Sequence, residues 1–241
     1  MEGFTYHNIF DTKGVEYLIV IAFLVLLIPF WIILNKQEKV KRAVQEAWGI
    51  LSAGILNIPL GVYYSKNHTW THLNKSGSAR IGLDDLLVHI TGRMQFRNVK
   101  NEGEPVVKGE VIAEFEQEGK KLQIYSPLSG TILHVNQDLR IDAGLLNEDP
   151  YGRGYLFQIM PSNWKAETSS YYVSGESADW LKNELLRFKD FLAASVMRRS
   201  PSDARLILQD GGELRDETLS ALPQDIWNDF QKEFLNPESF T

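Results

Sequence analysis

The chain has 241 residues, 44% of them hydrophobic, and a formal net charge of −6. That is enough for one good core and a smaller accessory region. Mild acidity argues against nucleic acid as a partner, because a phosphate-binding surface concentrates Lys and Arg. The absence of cysteine excludes disulfides, thiolate metal sites, iron–sulfur ligation and cysteine nucleophiles.

Residues 1–16 read as a short extracytoplasmic tail. The run from Tyr17 to Leu34, YLIVIAFLVLLIPFWIIL, carries no charge, and about 20 apolar residues cross a bilayer core. The expectation is a transmembrane helix over 17–35, with Tyr17 and Trp31 at the interfaces and Pro29 bending its last turns. The flanks lack the basic front and small-residue cleavage site of a signal peptide, which favours an uncleaved anchor. Lys36, Lys39, Lys41 and Arg42 follow the run, while Lys13 stands alone before it. Positive charge stays inside, so the N-terminus is expected outside and the large C-terminal part in the cytoplasm.

Over 36–58, Val40, Val44, Ala47, Trp48, Leu51 and Ile55 recur at helical steps, which predicts a juxtamembrane amphipathic helix. From 59 to 164 the texture changes to short alternating stretches: ARIGL, GEVIAEFEQ, KLQIYSPL and GTILHV. These predict antiparallel strands of a sandwich or small barrel, with GRMQFRNV as a further strand. Gly103, Gly109, Gly119 and Gly130 are expected at turns. A helical extension is expected over 165–241. In it SADWLKNELLRFKDFLAASV forms a helix N-capped by Ser177, with Trp180, Leu181, Leu185, Phe188 and Leu192 as one stripe. PQDIWNDFQKEFL forms a last amphipathic helix with Ile226, Trp227, Phe230 and Phe234 on one side.

Four segments in the same order resemble the glycine-cleavage H proteins: YYSKNHTWTHL, ARIGLDDLLVHITGRM, VVKGEVIAEFEQEGKKLQIYSPLSGTILHVN and LLNEDPYGRGYLFQIMPSNW. The resemblance implies a mainly β, lipoyl-domain-like barrel-sandwich hybrid, here with an N-terminal transmembrane helix and C-terminal amphipathic helices. In that family a hairpin presents a lysine to which lipoate is amide-linked. Laid without a gap from Gly109-Glu110 to Ser126-Pro127, the family's hairpin pattern puts Glu116 on its glutamate, Gln117 on its serine and Gly119 on its modified lysine. Lys120 and Lys121 follow directly and are the alternative attachment points, but successive strand residues face opposite sides.

This chain departs from the soluble carriers in its anchor, its long helical C-terminus and its GLDD segment. It resembles a membrane-anchored subgroup without the lysine, which implies a bacterial inner membrane. No cofactor is expected, with lipoate as the alternative.

Other chemistry-bearing residues read as structural. His68 and His72, four apart around Trp70, would share one side of a strand. No third ligand is evident, so a structural histidine is preferred to a metal pair. His89 and His134 stand isolated beside apolar residues. Asp84 is expected to cap a helix, and Asp149-Pro150 to form a turn. Glu114, Glu116 and Glu118 line one strand face beside Lys120 and Lys121. Glu116, Glu118, Lys120 and Lys121 are the candidate docking residues.

No phosphate-cradling loop or serine–histidine–aspartate arrangement appears, so neither a catalytic residue nor a metal site is expected. The function expected is a non-catalytic, non-lipoylated scaffold or docking subunit of a larger membrane-associated complex. Its partners would be the bilayer and protein subunits, not nucleic acid. The alternative is a lipoyl carrier modified at Lys120 or Lys121, serving a glycine-cleavage-like or redox enzyme.

Overall fold

The computed structural model describes residues 16–31, 49–199 and 214–236. The chain divides into two units, residues 1–47 and 48–241. In the first, residues 16–31 form helix α1. Its large apolar side chains, from Tyr17 to Trp31, are 41–68% exposed. The expected span over 17–35 is thus described only as far as Trp31. Among the described residues, no helix is long and apolar enough to cross a membrane.

The second unit is mainly β. Its strands are β1 (Ile50–Leu51), β2 (Tyr63–Tyr64), β3 (Thr69–Leu73), β4 (Ala79–Leu83), β5 (Gln95–Asn98), β6 (Pro105–Val106), β7 (Val111–Gln117), β8 (Lys120–Tyr125), β9 (Gly130–Val135), β10 (Phe157–Pro161), β11 (Tyr172–Val173) and β12 (Leu214–Arg215). The main helices are α2 (Asp85–Thr91) and α6 (Gly175–Arg199); α3 (Asp138–Ile141), α4 (Leu145–Glu148) and α5 (Trp164–Glu167) are single turns. Helix α7 (Gln224–Phe230) runs on into a π-helical turn, Gln231–Leu235.

A seven-stranded sheet has the order β11-β2-β3-β4-β10-β9-β6, and a three-stranded sheet the order β5-β7-β8. The two sheets share one core. Phe96 of β5 stands 6.0 Å from Phe157 of β10 and 5.6 Å from Phe115 of β7. Alternation makes this possible, because Phe115, Leu122 and Ile124 face inward while Glu116, Lys121 and Gln123 face out. Gly82 is fixed by packing: it pairs with Trp70 across β3–β4, and a Cβ there would lie 2.5 Å from the indole.

Asp84 caps α2 as expected, accepting the Leu87 N–H at 2.8 Å. At the other end Gly92 adopts φ 70 and returns its N–H to Val88 O. Both C-terminal helices join the same core. Trp180, Leu181, Leu185, Phe188 and Leu192 of α6 are buried, as are Ile226, Trp227, Phe230 and Phe234. Phe230 and Phe234 stack at 4.8 Å, with Phe188 edge-on to both.

Three expectations fail. The amphipathic helix over 36–58 is not formed where the structure describes it. Gly49 takes φ 62, and Ile50–Leu51 pair antiparallel with Arg215–Leu214 as β1–β12. Leu51 is buried, so the apolar residues at helical spacing fill a strand and a turn instead; residues 36–48 lie outside the described residues. Ser177 is not an N-cap, because α6 starts two residues earlier and the Ser177 Oγ is buried inside its first turn. Gly103, Gly109 and Gly119 hold positive φ at turns, but Gly130 opens strand β9. A Cβ at Gly130 would fall 2.1 Å from the Met160 carbonyl oxygen, so close backbone approach is what demands glycine there.

Candidate functional site

The hairpin expected to carry the family's chemistry is β7–β8. Its strands pair up to Gln117↔Lys120, leaving Glu118 and Gly119 as a two-residue loop. Their φ values are 50 and 79. Two successive positive-φ residues make the tight loop whose twist matches that of the strands it joins. Gly119 is therefore a conformational requirement. A Cβ there would meet nothing within 4 Å, but an L side chain at this φ carries the left-handed penalty.

The side chains leave the tip in two directions. Glu118 is exposed, and Glu116 pairs with Lys121 at 3.7 Å, both about half exposed. A solvated pair of this kind contributes about 0–1 kcal/mol. Lys120, one residue earlier, faces the other way. Its Nζ donates to the carbonyl oxygens of Ser220 and, at 3.4 Å, Leu222. It lies 5.2 Å from the centre of the Trp227 ring, and its side chain is 13% exposed. Of the four candidate docking residues, Glu116, Glu118 and Lys121 thus stand in solvent, while Lys120 is engaged by the C-terminal segment.

That segment, residues 214–236, is itself held at several points. The β12–β1 pairing anchors its start. The Glu217 and Leu219 N–H groups donate to His89 O and Ile90 O, at 2.7 and 3.0 Å, in the last turn of α2. Those carbonyls have no partner within the helix itself. The Trp227 indole N–H donates to Leu219 O at 2.7 Å, closing the turn in front of α7. Further on, the Gln231 amide meets the backbone of Gln123 in β8. Its Oε1 accepts the Gln123 N–H at 2.7 Å, and its Nε2 donates to Gln123 O at 3.1 Å. The Tyr125 hydroxyl donates to Asn236 Oδ1 at 2.9 Å.

The histidines depart from their sequence reading. His68 and His72 do not share a strand face. His68 precedes β3 in a bend with φ 58 and is buried, whereas His72 Nδ1 lies 3.1 Å from Gly61 O near the surface. His68 Nδ1 is 2.7 Å from Asp84 Oδ2, and its Nε2 is 3.6 Å from Glu184 Oε2. Burial alone would lower the imidazole pKa, but the Asp84 and Glu184 carboxylates outweigh it and hold the group up to about 9. Glu184 also pairs with Arg187 at 3.0 Å. Arg187 in turn donates to Glu233 O at 2.8 Å and lies over the Phe234 ring. One chain of charges thus joins the β2–β3 turn, α2, α6 and the π-helical turn.

His89 is not isolated. Its Nδ1 lies 3.0 Å from Asp216 and its Nε2 3.5 Å from Asp85. Burial again pulls its pKa down, and the two carboxylates raise it to about 10. His134 pairs with Glu102 at 2.8 Å. Among the described residues, no group of three His, Cys, Asp or Glu side chains is placed to hold a metal ion. Neighbouring carboxylates serve the backbone: beside Asp84, Asp85 accepts the Asn57 N–H, and beside Glu148, Asp149 accepts those of Gly152 and Arg153.

Sequence reasoning missed Ser220, Leu222, Gln231 and Asn236 as partners of the hairpin. Two of them act through backbone carbonyls about which a side chain says nothing, and Gln231 reads as one more polar position on an amphipathic helix.

The profile of the glycine cleavage H-protein family matches residues 62–184. A probable glycine cleavage system H protein of Pyrococcus abyssi is 29% identical over 134 residues, covering 56% of this chain and 99% of that protein. The glycine cleavage system H protein of a Shewanella species is 33% identical over 107 residues, covering 44% of this chain and 83% of that protein. The crystal structure of a glycine cleavage system H protein from Mycobacterium marinum is similar at 26% identity and a TM-score of 0.45, covering 51% of this chain and 98% of that one. With more than half of its length matched, from the strand before Trp70 into α6, this chain belongs to the glycine cleavage H-protein family.

Proposed function

We propose that the chain is a non-catalytic, non-lipoylated H-protein-like subunit, a docking module within a membrane-associated complex. The observation that carries the reading is the hairpin tip. The gapless register read from the sequence sets Gly119 on the family's modified lysine, and Gly119 lies in the two-residue loop at φ 79, which supports the reading. A swinging arm needs an exposed amine on a rigid turn, and the tip offers a carboxylate and a glycine. Lys120 faces the C-terminal segment and is 13% exposed.

Attachment to a bilayer is part of the same proposal. The apolar side chains of α1 are exposed along its whole described length. A helix apolar on every side calls for an apolar surround, and the uncharged run continues to Leu34. The basic cluster from Lys36 to Arg42 supports a cytoplasmic C-terminal unit. Glu116, Glu118 and Lys121 then present a mixed-charge tip to protein partners.

The second reading is a lipoyl carrier, favoured by the relatives named as H proteins and by the half-exposed Lys121 on the hairpin. The intact mass of the detergent-purified full chain separates the two. The protein is expressed with lipoate in a host that lipoylates a soluble H protein in parallel. An unmodified mass beside a modified control is the expected result. One added lipoyl group on Lys120 or Lys121 would overturn the docking reading and establish a carrier.

A further inference from the structure

We propose that residues 214–236 form a built-in cap on the β5-β7-β8 sheet, keeping Lys120 from acylating enzymes and occupying the outer backbone edge of β8. This deepens the reading above. There the glycine at the tip carries the reading; here a second, independent barrier covers Lys120, one of the two lysines beside the tip.

Three observations carry the cap. The first is the Lys120 ammonium. An acyl-transfer enzyme must bring its thioester or acyl-adenylate carbonyl to within bonding distance of a free amine. Lys120 Nζ instead points between two carbonyl oxygens, of Ser220 and Leu222, and the Trp227 ring, with the exposed Glu118 carboxylate at 3.9 Å on its open side. The second is the edge of β8. This strand ends the three-stranded sheet, and the outward N–H and C=O of Gln123 are both taken by the single amide of Gln231. A side-chain amide carries one donor face and one acceptor face, so it reproduces the pairing of a neighbouring strand at that residue. Tyr125 with Asn236 extends the contact one step along the same face.

The third is the anchoring. The cap is tied down away from the hairpin, at β1, at the last turn of α2 through Glu217 and Leu219, and at His89 through Asp216. Gly92 fits the same arrangement: a Cβ there would lie 2.6 Å from the Glu217 side chain, so the helix end is shaped to admit the segment. Of these anchors, the last turn of α2 with His89 and Gly92 lies within the family-matched residues 62–184, and β1 lies before them.

The test is a competition between two adjacent lysines of the full chain in detergent. A brief pulse of N-hydroxysuccinimidyl acetate acetylates exposed amines. The free amine attacks the ester carbonyl, an amide forms, N-hydroxysuccinimide leaves, and the proton goes to buffer. Fragmentation of the peptide that follows Glu118 reads Lys120 and Lys121 separately. Lys121, 51% exposed, is the internal reference, and Lys120 is expected to react several-fold more slowly. Gln231→Ala should raise the Lys120 rate toward that of Lys121 and speed hydrogen exchange at the Gln123 amide, with the Lys121 rate unchanged.

Equal acetylation of the two lysines in the unsubstituted chain would overturn the cap. Unchanged Gln123 exchange in Gln231→Ala would overturn its closure of the β8 edge. The two proposals fail separately: lipoate on Lys121 would sink the docking reading and leave the cap standing, whereas fast acetylation of Lys120 would do the reverse.

Discussion

Helices α1 and α7 are both rich in large apolar side chains, and the structure treats them oppositely. Along α1 the residues from Tyr17 to Trp31 are apolar on every side and stay 41–68% exposed. Along α7 the apolar residues fall on one side, Ile226, Trp227 and Phe230, and all are buried, with Gln224, Asp225 and Asn228 facing out. A one-sided stripe finds its cover within the chain, while a helix apolar all round needs an external one. Periodicity, more than apolar content, decides which surface a helix ends on.

Phe230→Ala removes a fully buried ring that packs on Phe188, Phe191 and Phe234. It should cost about 3–5 kcal/mol, read as a drop in the denaturant midpoint of the full chain in detergent. Loss of less than about 1 kcal/mol would show that α7 is peripheral to the core.

At α1 the sharper probe is Leu24→Lys. If this helix lies in a bilayer, a lysine near its centre disfavours insertion by about 2.5–3.5 kcal/mol. Flotation of the protein with liposomes should then fall, while the melting of the second unit stays unchanged. Undiminished flotation would remove α1 as the anchor.

Gly82→Ala tests the packing between β3 and β4. The new methyl would press into the Trp70 indole, and overpacking of this kind costs about 1–3 kcal/mol; thermal melting reads it.

A graded effect, spread over a pH range, comes from His89, which links α2 to the segment leading into α7. Its folded-state pKa is raised from 6.5 to about 10 by Asp216 and Asp85 against the pull of burial. The folded state therefore holds the proton more tightly than the unfolded one. Its stabilisation is complete below about pH 6.5 and is lost as pH rises through about 10, with a slope of at most about 1.4 kcal/mol per pH unit. Chemical denaturation between pH 6 and 10 should show that decline, and His89→Gln should make it shallower, leaving the part that His68, raised to about 9, contributes over the same range. The smallest effect belongs to the hairpin surface. Lys121→Ala removes a solvated pair with Glu116 and should change stability by less than about 0.5 kcal/mol.

Much of the sandwich was legible from short-range pattern. ARIGL and GTILHV coincide with β4 and β9, and buried and outward residues alternate from Ala113 to Gln117 and along β8, while a bulge after Val111 leaves Ile112 and Ala113 both buried. The stripes of α6 and α7 were legible for the same reason, since the period of 3.6 survives whatever the helix packs on. The failures have a common cause in long-range pairing. Leu51 and Ile55 fit a helix until Leu214, far along the chain, claims Leu51 for a strand. His68 seemed to share a face with His72 because nothing local announces a positive φ at a histidine. At the candidate site, the tip glycine was visible from the register, but the fate of Lys120 was not. Its acceptors are carbonyl oxygens one hundred residues away in sequence, and every residue has a carbonyl.

The π-helical turn after α7 has a consequence for chain length. The Asn236 N–H reaches back to Gln231 O at 3.0 Å, five residues earlier, where an α-helix would close on the fourth. One extra residue is thus accommodated between Phe230 and Asn236. It turns the helix so that Phe234 and Leu235, neighbours in sequence, are both buried, while Asn236 still reaches Tyr125. Deleting exposed Lys232 would remove the extra residue and let the turn close as a regular α-helix, with the residues on either side kept near their places. The reach of Asn236 to Tyr125 therefore depends on a count of residues as much as on their identity, and a single-codon deletion at Lys232 should loosen that contact while leaving Phe230 and Phe234 on one side of the helix.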